Sequence, residues 1–479
     1  MLTQYRLLSS RNRPARAAVV LGAAALAGML ATAAIAATPG DPVSLLAPAA
    51  PAPAAAPIDS PIRDRIGSAT ELRIGGQKLR PALLRQFYAT HQFQPVWENR
   101  KAQAEALLRA VFRAGEHGLD PELFHAGLLR KLASFSPIDR DLLLSDAFLG
   151  YADALARGAV PIEARYDDED LTPEPVDIAA MLTRALDSPD PASAIEGLAP
   201  RSPAYLALQR ALRSHRPDNP EAARKGGAAP RDGEAQRRAI IVNLERQRWL
   251  PRQLPADRVW VNIPTARLEL YRDNRPVFAT RVVVGETDTQ TPELQTTITS
   301  LLFNPPWYVP RSIATKEILP KLARDPNYLA RNRMVMRQNG GIQQLPGPGA
   351  ALGQLKFESV NRFDVYLHDT PKKALFKRDD RFESHGCVRV ENPRELASLL
   401  LGEPVEAISK AIARESTSRR TLPTPIRAFL VYHTAFPDSG GGIAFAPDVY
   451  ERDEAIWHRL QRAPQVPVAQ HDPAAERRG

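Results

Sequence analysis

Up to Leu250 the apolar residues of this chain recur at helical spacing; beyond Pro251 they alternate. Ala102 to Ala114 (AQAEALLRAVFRA) places them at i, i+3, i+4 and i+7, and Leu142 to Ala156 (LLLSDAFLGYADALA) repeats the pattern. Tyr205 to Leu212 adds a shorter piece, and Ala239 to Leu250 (AIIVNLERQRWL) another that stops at Pro251. Gly118-Leu119-Asp120-Pro121 and Arg157-Gly158 read as turns between helices. The stretch from about Glu71 to Leu212 therefore predicts an α-helical scaffold. It carries no phosphate loop, metal cluster or paired carboxylates on one helical face.

After Pro251 the period shortens to two. Val259 to Ile263 and Arg267 to Tyr271 read as half-buried strands separated by Pro264-Thr265, and Asp273-Asn274 turns the chain into a third, Val277 to Val284, ended by Gly285. Thr296 to Phe303, Leu355 to Glu358, Phe363 to Leu367 and Phe429 to Tyr432 continue the series. Ile313 to Ala323 and Pro393 to Leu401 predict helices, the latter with Asn392 as N-cap, Pro393 in the first turn and Gly402 just past the end. The whole predicts an α+β multidomain chain, a helical scaffold followed by a β-rich domain.

Composition adds the compartment. Arg6, Arg11, Arg13 and Arg16 precede an Ala/Leu/Val-rich run from Ala17 to Ile35, and Ala34-Ile35-Ala36 offers a small-x-small cleavage site. The alternative is an uncleaved membrane anchor, because the run is nearly long enough to span a bilayer. The expectation is export, with a periplasmic location and membrane contact only through an uncleaved leader. Ala47 to Pro57 holds nothing but alanine and proline and predicts an extended tether. The net charge of +9 decides little. An exported chain rarely meets nucleic acid, so acidic envelope polymers or plain solvation account for the excess. The expected organisation is a leader at 1–36, a tether at 37–66, and a scaffold at 67–250 with a low-complexity loop at 215–233. A catalytic domain at 251–450 and a tail at 451–479 complete it.

The chemistry centres on the single cysteine, Cys387, within Ser384-His385-Gly386-Cys387-Val388-Arg389. A lone thiol cannot form an internal disulfide, and an idle one is a liability in an oxidising compartment. His368 lies upstream in Val365-Tyr366-Leu367-His368-Asp369-Thr370. An imidazole within hydrogen-bond reach can take the thiol proton and make a thiolate–imidazolium pair able to attack a carbonyl. The amides of Gly386 and Cys387 are candidate oxyanion donors, and Arg389 could stabilise the thiolate or bind a carboxylate. His368, Asp369, His385 and Cys387 are also metal-ligand types, but their spacing matches no common zinc pattern. His433 and His458 read as packing or surface residues.

At these residues the chain resembles the L,D-transpeptidase family with its YkuD-like catalytic domain. The motif is a histidine, a gap of this size, then Ser/Thr-His/Ser-Gly-Cys followed by a small apolar residue and Arg or Asn. Arg267 to Tyr271, Val284-Gly285 with Gln290-Thr291-Pro292, Asn304-Pro305-Pro306-Trp307 and Asn243-Leu244-Glu245-Arg246 are similar to the large exported branch. So are Gln94-Pro95-Val96-Trp97 and Gly118 to Pro121, in that branch's scaffold. The resemblance implies a mixed β-sandwich with Cys387 as nucleophile and His368 as base. Ser384, His385 and Gly386 would shape the turn and oxyanion site, Arg389 would support nucleophile or donor, and Asn304 and Trp307 would lie near the cleft mouth.

The implied reaction is attack on the third residue of a peptidoglycan tetrapeptide stem, release of terminal D-alanine, and transfer of the thioester to another stem as a 3→3 cross-link. No metal or organic cofactor is implied, and acylation by carbapenems is. Donor and acceptor stems are the implied partners; cell-wall synthases and stem-trimming carboxypeptidases are compatible further ones. Two departures stand out. The place where large members carry a wall-binding module holds only the His215 to Gly233 stretch, and the lid region Arg331 to Gln354 reads as shortened. A reduced lid would admit water as acceptor, giving an L,D-carboxypeptidase or cross-link hydrolase of the same fold.

Overall fold

The computed structural model describes residues 60–214 and 230–461. The expected leader, the expected tether up to residue 59, most of the 215–233 loop and the tail beyond residue 461 lie outside them. The last residues of the expected 37–66 tether are instead folded: Pro61–Ile66 is a helix capped by Ser60, and it buries Ile62 and Ile66. The described residues all belong to one compact unit. No helix among the described residues is long and apolar enough to cross a membrane.

The helical half is built around Pro137–Arg157, a long helix buried along most of its length. Ser136 caps it by accepting from the Asp139 N–H, and Pro137 fills the first turn where its missing N–H costs nothing. Two buried carboxylates on this helix organise its neighbours. Asp141 accepts from the backbone N–H groups of Val96 and Trp97 at 3.0–3.1 Å, and Trp97 Nε1 donates to Ser145 at 2.9 Å. The Gln94 to Trp97 stretch is thereby a docking loop for the central helix. Asp146 receives Arg80 at 2.6 Å and faces His125 at 2.8 Å.

The expectation of helix throughout this half needs one correction. Leu72–Ile74 (β1) and Gln77–Leu79 (β2) form a hairpin about Gly75-Gly76, whose positive φ angles of 55° and 82° give the turn its twist. A second short extended piece, Glu169–Asp170 (β3), leaves the scaffold altogether. It pairs in parallel with the start of Glu293–Phe303 (β7).

The β-rich half begins with Arg258–Asn262 (β4), Arg267–Arg272 (β5) and Arg275–Gly285 (β6), an antiparallel meander that feeds β7. Downstream lie Leu355–Ser359 (β11), Leu367–His368 (β12), Phe382–Ser384 (β13), Val388–Val390 (β14) and Ser418–Val431 (β15). The strand order is β11-β12-β14-β6-β5-β4-β15-β7-β3, and β11 also pairs with β7, so the mixed sheet closes on itself. The two layers of the expected sandwich are thus joined through β7. Its apolar filling comes from alternate residues, among them Val259, Leu268, Val282, Ile298, Phe357 and Leu430.

Pro393–Leu401 is helical as its pattern predicts, with Gly402 left-handed at φ 68°, but the Asn392 side chain makes no capping hydrogen bond. Phe363 to Tyr366 is not strand; only Leu367 and His368 pair. Between β7 and β11 a small cap stands apart. Trp307–Tyr308 (β8), Met334–Met336 (β9) and Ile342–Gln344 (β10) form its sheet, in the order β8-β10-β9. Short helices from Arg311 to Arg331 complete it, and Ile318, Met334 and Ile342 form its own core.

The helix Pro230–Arg248 joins the halves, and its Asn243 to Arg246 stretch faces both ways. Asn243 Nδ2 donates to Thr434 at 2.7 Å and Arg246 pairs with Asp453, on the helix Arg452–Gln461. Glu245 turns back to accept from the Val160 N–H at 2.8 Å.

Candidate active site

Alternation along three adjacent strands brings the chemistry to one face. Leu355 and Phe357, Leu367, and Val388 and Val390 point into the core. Lys356, His368 and Arg389 therefore point the other way. They are also in register: Lys356 opposes His368 across β11 and β12, and His368 opposes Arg389 across β12 and β14. Cys387 immediately precedes β14, and Tyr366 immediately precedes β12.

His368 is buried, and its Nδ1 lies 2.5 Å from the Asp369 carbonyl oxygen. A carbonyl only accepts, so Nδ1 carries the hydrogen and Nε2 keeps its lone pair. Burial first, then the Arg389 charge, push the His368 pKa down to about 4. The Cys387 thiol is half-buried, with Sγ 3.8 Å from the Asp364 carbonyl. Burial raises its pKa, against the opposing pull of the Tyr366 N–H, Lys356 and Arg389. The free dyad thus rests as neutral thiol and neutral imidazole, not as the ion pair the sequence suggests. Among the described residues no hydrogen bond joins Sγ to the ring. Such an arrangement can pass the sulfur proton to Nε2 as the sulfur attacks, so that the charged pair would appear in the transition state.

A pH prediction follows. His368 must be unprotonated to accept the proton, so cysteine acylation should fall only as the pH drops through about 4. An ordinary imidazole would place that limb near 6.5. The same depressed pKa withdraws stability as pH falls from about 6.5 through about 4, because the unfolded chain binds that proton first. A pH profile of the acylation rate with the Cys387 adduct weighed at each point checks the first statement; a midpoint near 6.5 contradicts it.

The catalytic turn is held from several sides. Ser384 is buried, and its hydroxyl donates to the Cys387 carbonyl at 2.6 Å while accepting the Gly386 N–H at 3.1 Å. Gly386 has φ 105°, which a side chain would strain. The Gly386 N–H is therefore spent inside the turn, which corrects its expected oxyanion role. Among the described residues the Cys387 N–H has no such partner, so it is the amide of this turn that could face a developing oxyanion.

Thr291 secures the other side, donating to the Gly386 carbonyl at 2.8 Å and accepting from the Gly285 N–H at 2.8 Å. This gives the Val284-Gly285 and Gln290-Thr291-Pro292 stretches a physical role. Thr291→Val should orphan both buried groups, cost about 1–3 kcal/mol and slow acylation. Urea unfolding and adduct formation, measured together, check this; an unchanged unfolding midpoint contradicts it.

Two other expected residues land differently. His385 is exposed and pairs with Glu317 of the cap at 2.6 Å, so it links cap to turn without lining the oxyanion position. Asn304 is buried with its amide committed to the Ile412 and Ser416 carbonyls at 2.9 and 3.4 Å, so it braces the chain behind the sheet and offers nothing to a cleft. Trp307 is closer to expectation, since its side chain lies near the Tyr366 hydroxyl, which in turn faces Cys387. Asp369 is committed to Lys373 at 2.7 Å and to the Gln354 N–H, so the four ligand-type side chains do not converge on one point. His433 is buried beside Trp260, and His458 pairs with Glu454 on the surface.

Sequence reasoning missed Tyr366 and Lys356. Each sits on the same alternation as a residue that was identified, Tyr366 two before His368 and Lys356 between two core positions of a predicted strand.

A L,D-transpeptidase catalytic domain (YkuD) matches residues 256–407, and a scaffold domain matches residues 82–212. A Haemophilus influenzae protein named "Putative L,D-transpeptidase" is 30% identical over 420 residues, 80% of this chain and 81% of that protein. Among solved structures, the Ldtfm–avibactam carbamoyl enzyme aligns at 12% identity with a TM-score of 0.20, covering 43% of this chain and 63% of that one. A cysteine-to-serine variant of the Enterococcus faecium L,D-transpeptidase aligns at 11% identity with a TM-score of 0.18, covering 43% and 64%. This chain spans less than two thirds of the length of either. With a YkuD domain and a scaffold domain in one chain, the protein belongs to the L,D-transpeptidase family.

Proposed function

We propose that this protein is an exported peptidoglycan L,D-transpeptidase that forms 3→3 cross-links through a thioester on Cys387. The observation that carries the reading is the His368 tautomer. Nδ1 is tied to the Asp369 carbonyl, leaving a neutral Nε2 on the sheet face that Cys387 borders. In the first half-reaction the Cys387 sulfur attacks the carbonyl of the third stem residue as its proton passes to His368 Nε2. The tetrahedral intermediate is met by the Cys387 N–H, and its collapse expels D-alanine, which takes the proton back from His368. In the second, an amine from another stem loses a proton to His368 while attacking the thioester, and the thiol is restored.

The cap bears on the choice of acceptor. Its link to the catalytic turn through Glu317 and His385 narrows one approach to the thioester. Cys387 nevertheless keeps partial access to solvent, which favours hydrolysis as the second reading when no amine is bound. The periplasm is the compartment this activity requires, with stem peptides as donor and acceptor.

Incubation with a carbapenem tests the nucleophile. The expected result is a single covalent adduct in the intact mass, mapped to Cys387. No adduct, or one on another residue, would overturn the assignment.

A further inference from the structure

Two cations border the dyad without an acid of their own. Lys356 and Arg389 stand in register on either side of His368. Both are half-buried, and among the described residues the close contacts of their charged groups include no ion pair or hydrogen bond, only longer-range charge interactions and the Tyr366 ring under Lys356. The nearby carboxylates are engaged or turned outward. Near Lys356, Glu358 is held by Arg419 at 2.6 and 3.0 Å and by Ser300 at 2.7 Å, and Asp364 is exposed. Near Arg389, Glu383 is paired with Arg378 and Glu286 is exposed.

Lys356 is also held in place, with its ammonium 3.8 Å over the Tyr366 ring. That ring lies beside His368, with centroids 5.8 Å apart. Half-burying an ammonium and a guanidinium costs energy unless an anion repays it, and the carboxylates around these two act only at a distance, with no ion pair to either cation.

We propose that Lys356 and Arg389 together form a carboxylate site beside Cys387, and that its ligand is the α-carboxylate of the residue expelled during acylation. This rests on the transpeptidase reading for the ligand, though not for the site. The leaving residue ends in a carboxylate one residue beyond the attacked carbonyl, so an anion site next to the sulfur fixes which carbonyl reaches it. Arg389 offers a planar fork for that group and Lys356 a point charge. Because the two charges flank His368, they also help keep its imidazole neutral. Lys356 is thus a specificity residue that sequence reading overlooked.

Alkylation of the chain's single cysteine separates anion binding from thiolate stabilisation. Iodoacetate is anionic and iodoacetamide is neutral, but both react with the same thiolate. A changed thiol pKa moves both rates together, whereas a carboxylate site moves only their ratio. Lys356→Gln should lower the iodoacetate-to-iodoacetamide ratio about tenfold, the size of one charge-assisted hydrogen bond. Lys356→Arg should retain the ratio, and the iodoacetamide rate serves as the control for folding. A ratio unchanged in Lys356→Gln would overturn the site.

A second arm tests the ligand, using tetrapeptide donors with a free or an amidated C-terminus. Wild type should be acylated faster by the free acid, and Lys356→Gln should lose that preference. Equal acylation in the wild type would overturn the assignment to the leaving residue. No acylation by either donor would refute the transpeptidase reading, while the reagent ratio would still decide the anion site.

Discussion

His368→Ala is expected to slow acylation of Cys387 by about 10²–10⁴-fold, the usual worth of a positioned general base. The resting electrostatics make the effect large. Burial holds the thiol above its ordinary pKa, so at neutral pH little thiolate exists to attack unaided. On the proposed mechanism the proton leaves as the bond forms, and Nε2 of His368, freed by the anchored Nδ1, accepts it. Raising the pH should partly rescue the variant by ionising the thiol directly, which a folding defect would not allow. Acylation rates of wild type and variant, followed by intact mass between neutral and alkaline pH, check this. A variant that reacts at the wild-type rate at neutral pH would remove His368 from the mechanism.

The second large effect lies away from the chemistry. Arg452→Met is expected to destabilise the fold by about 3–5 kcal/mol, because it strips a buried carboxylate of its partner. Arg452 is fully buried and pairs with Glu293 at 3.3 Å and with Asp168 of the scaffold, while donating to Gln290 at 2.7 and 3.1 Å. Glu293 is itself fully buried, and its strand neighbour is the equally buried Glu169. Even with Arg452 present, burial pushes the Glu293 pKa up to about 7. Without it, two carboxylates share one site, with Arg459 on Glu169 and Arg246 near Glu293 as the remaining compensation.

The loss should be smaller at low pH. A raised carboxyl pKa means the folded state holds its proton longer, so stability is greatest below about 4.5 and declines as pH rises through about 7. Urea midpoints of wild type and variant at pH 5 and pH 8 test both statements. Equal midpoints at both pH values would contradict them. Gln290 adjoins Thr291, so the variant should also loosen the catalytic turn.

What the sequence made legible was what repeats. Helical spacing announced the scaffold helices, and alternation placed most strands of the closed sheet, because both follow from burying one face of a regular element. The cysteine and the histidine stood out as candidates because few structural roles require those residue types in that setting, and register places both at one sheet face. The Gly75-Gly76 hairpin was missed because its strands are too short for alternation to register. The β3 segment was missed because two residues, Glu169 and Asp170, carry no strand signal; only the edge of β7 makes them extended.

The roles of side chains were harder to read than their positions. Asn304 resembles a cleft residue in its motif, yet its amide is consumed by the backbone of a segment more than a hundred residues away. Gly386 has an N–H that any loop glycine could offer to substrate, but Ser384, two residues earlier, takes it. Lys356 gave no signal as a charged residue on a predicted strand. Its meaning lies in the register of β11 against β12, which no local pattern specifies.

The central claim is that Cys387 carries an acyl group from one stem to another. Its most direct test is product analysis after the mature protein is incubated with disaccharide-tetrapeptide, in wild type and Cys387→Ala. The account predicts dimers linked 3→3 and free D-alanine with the wild type, and neither with the variant. Wild-type protein that yields no dimer and no D-alanine, or a Cys387→Ala variant that still cross-links, would contradict it.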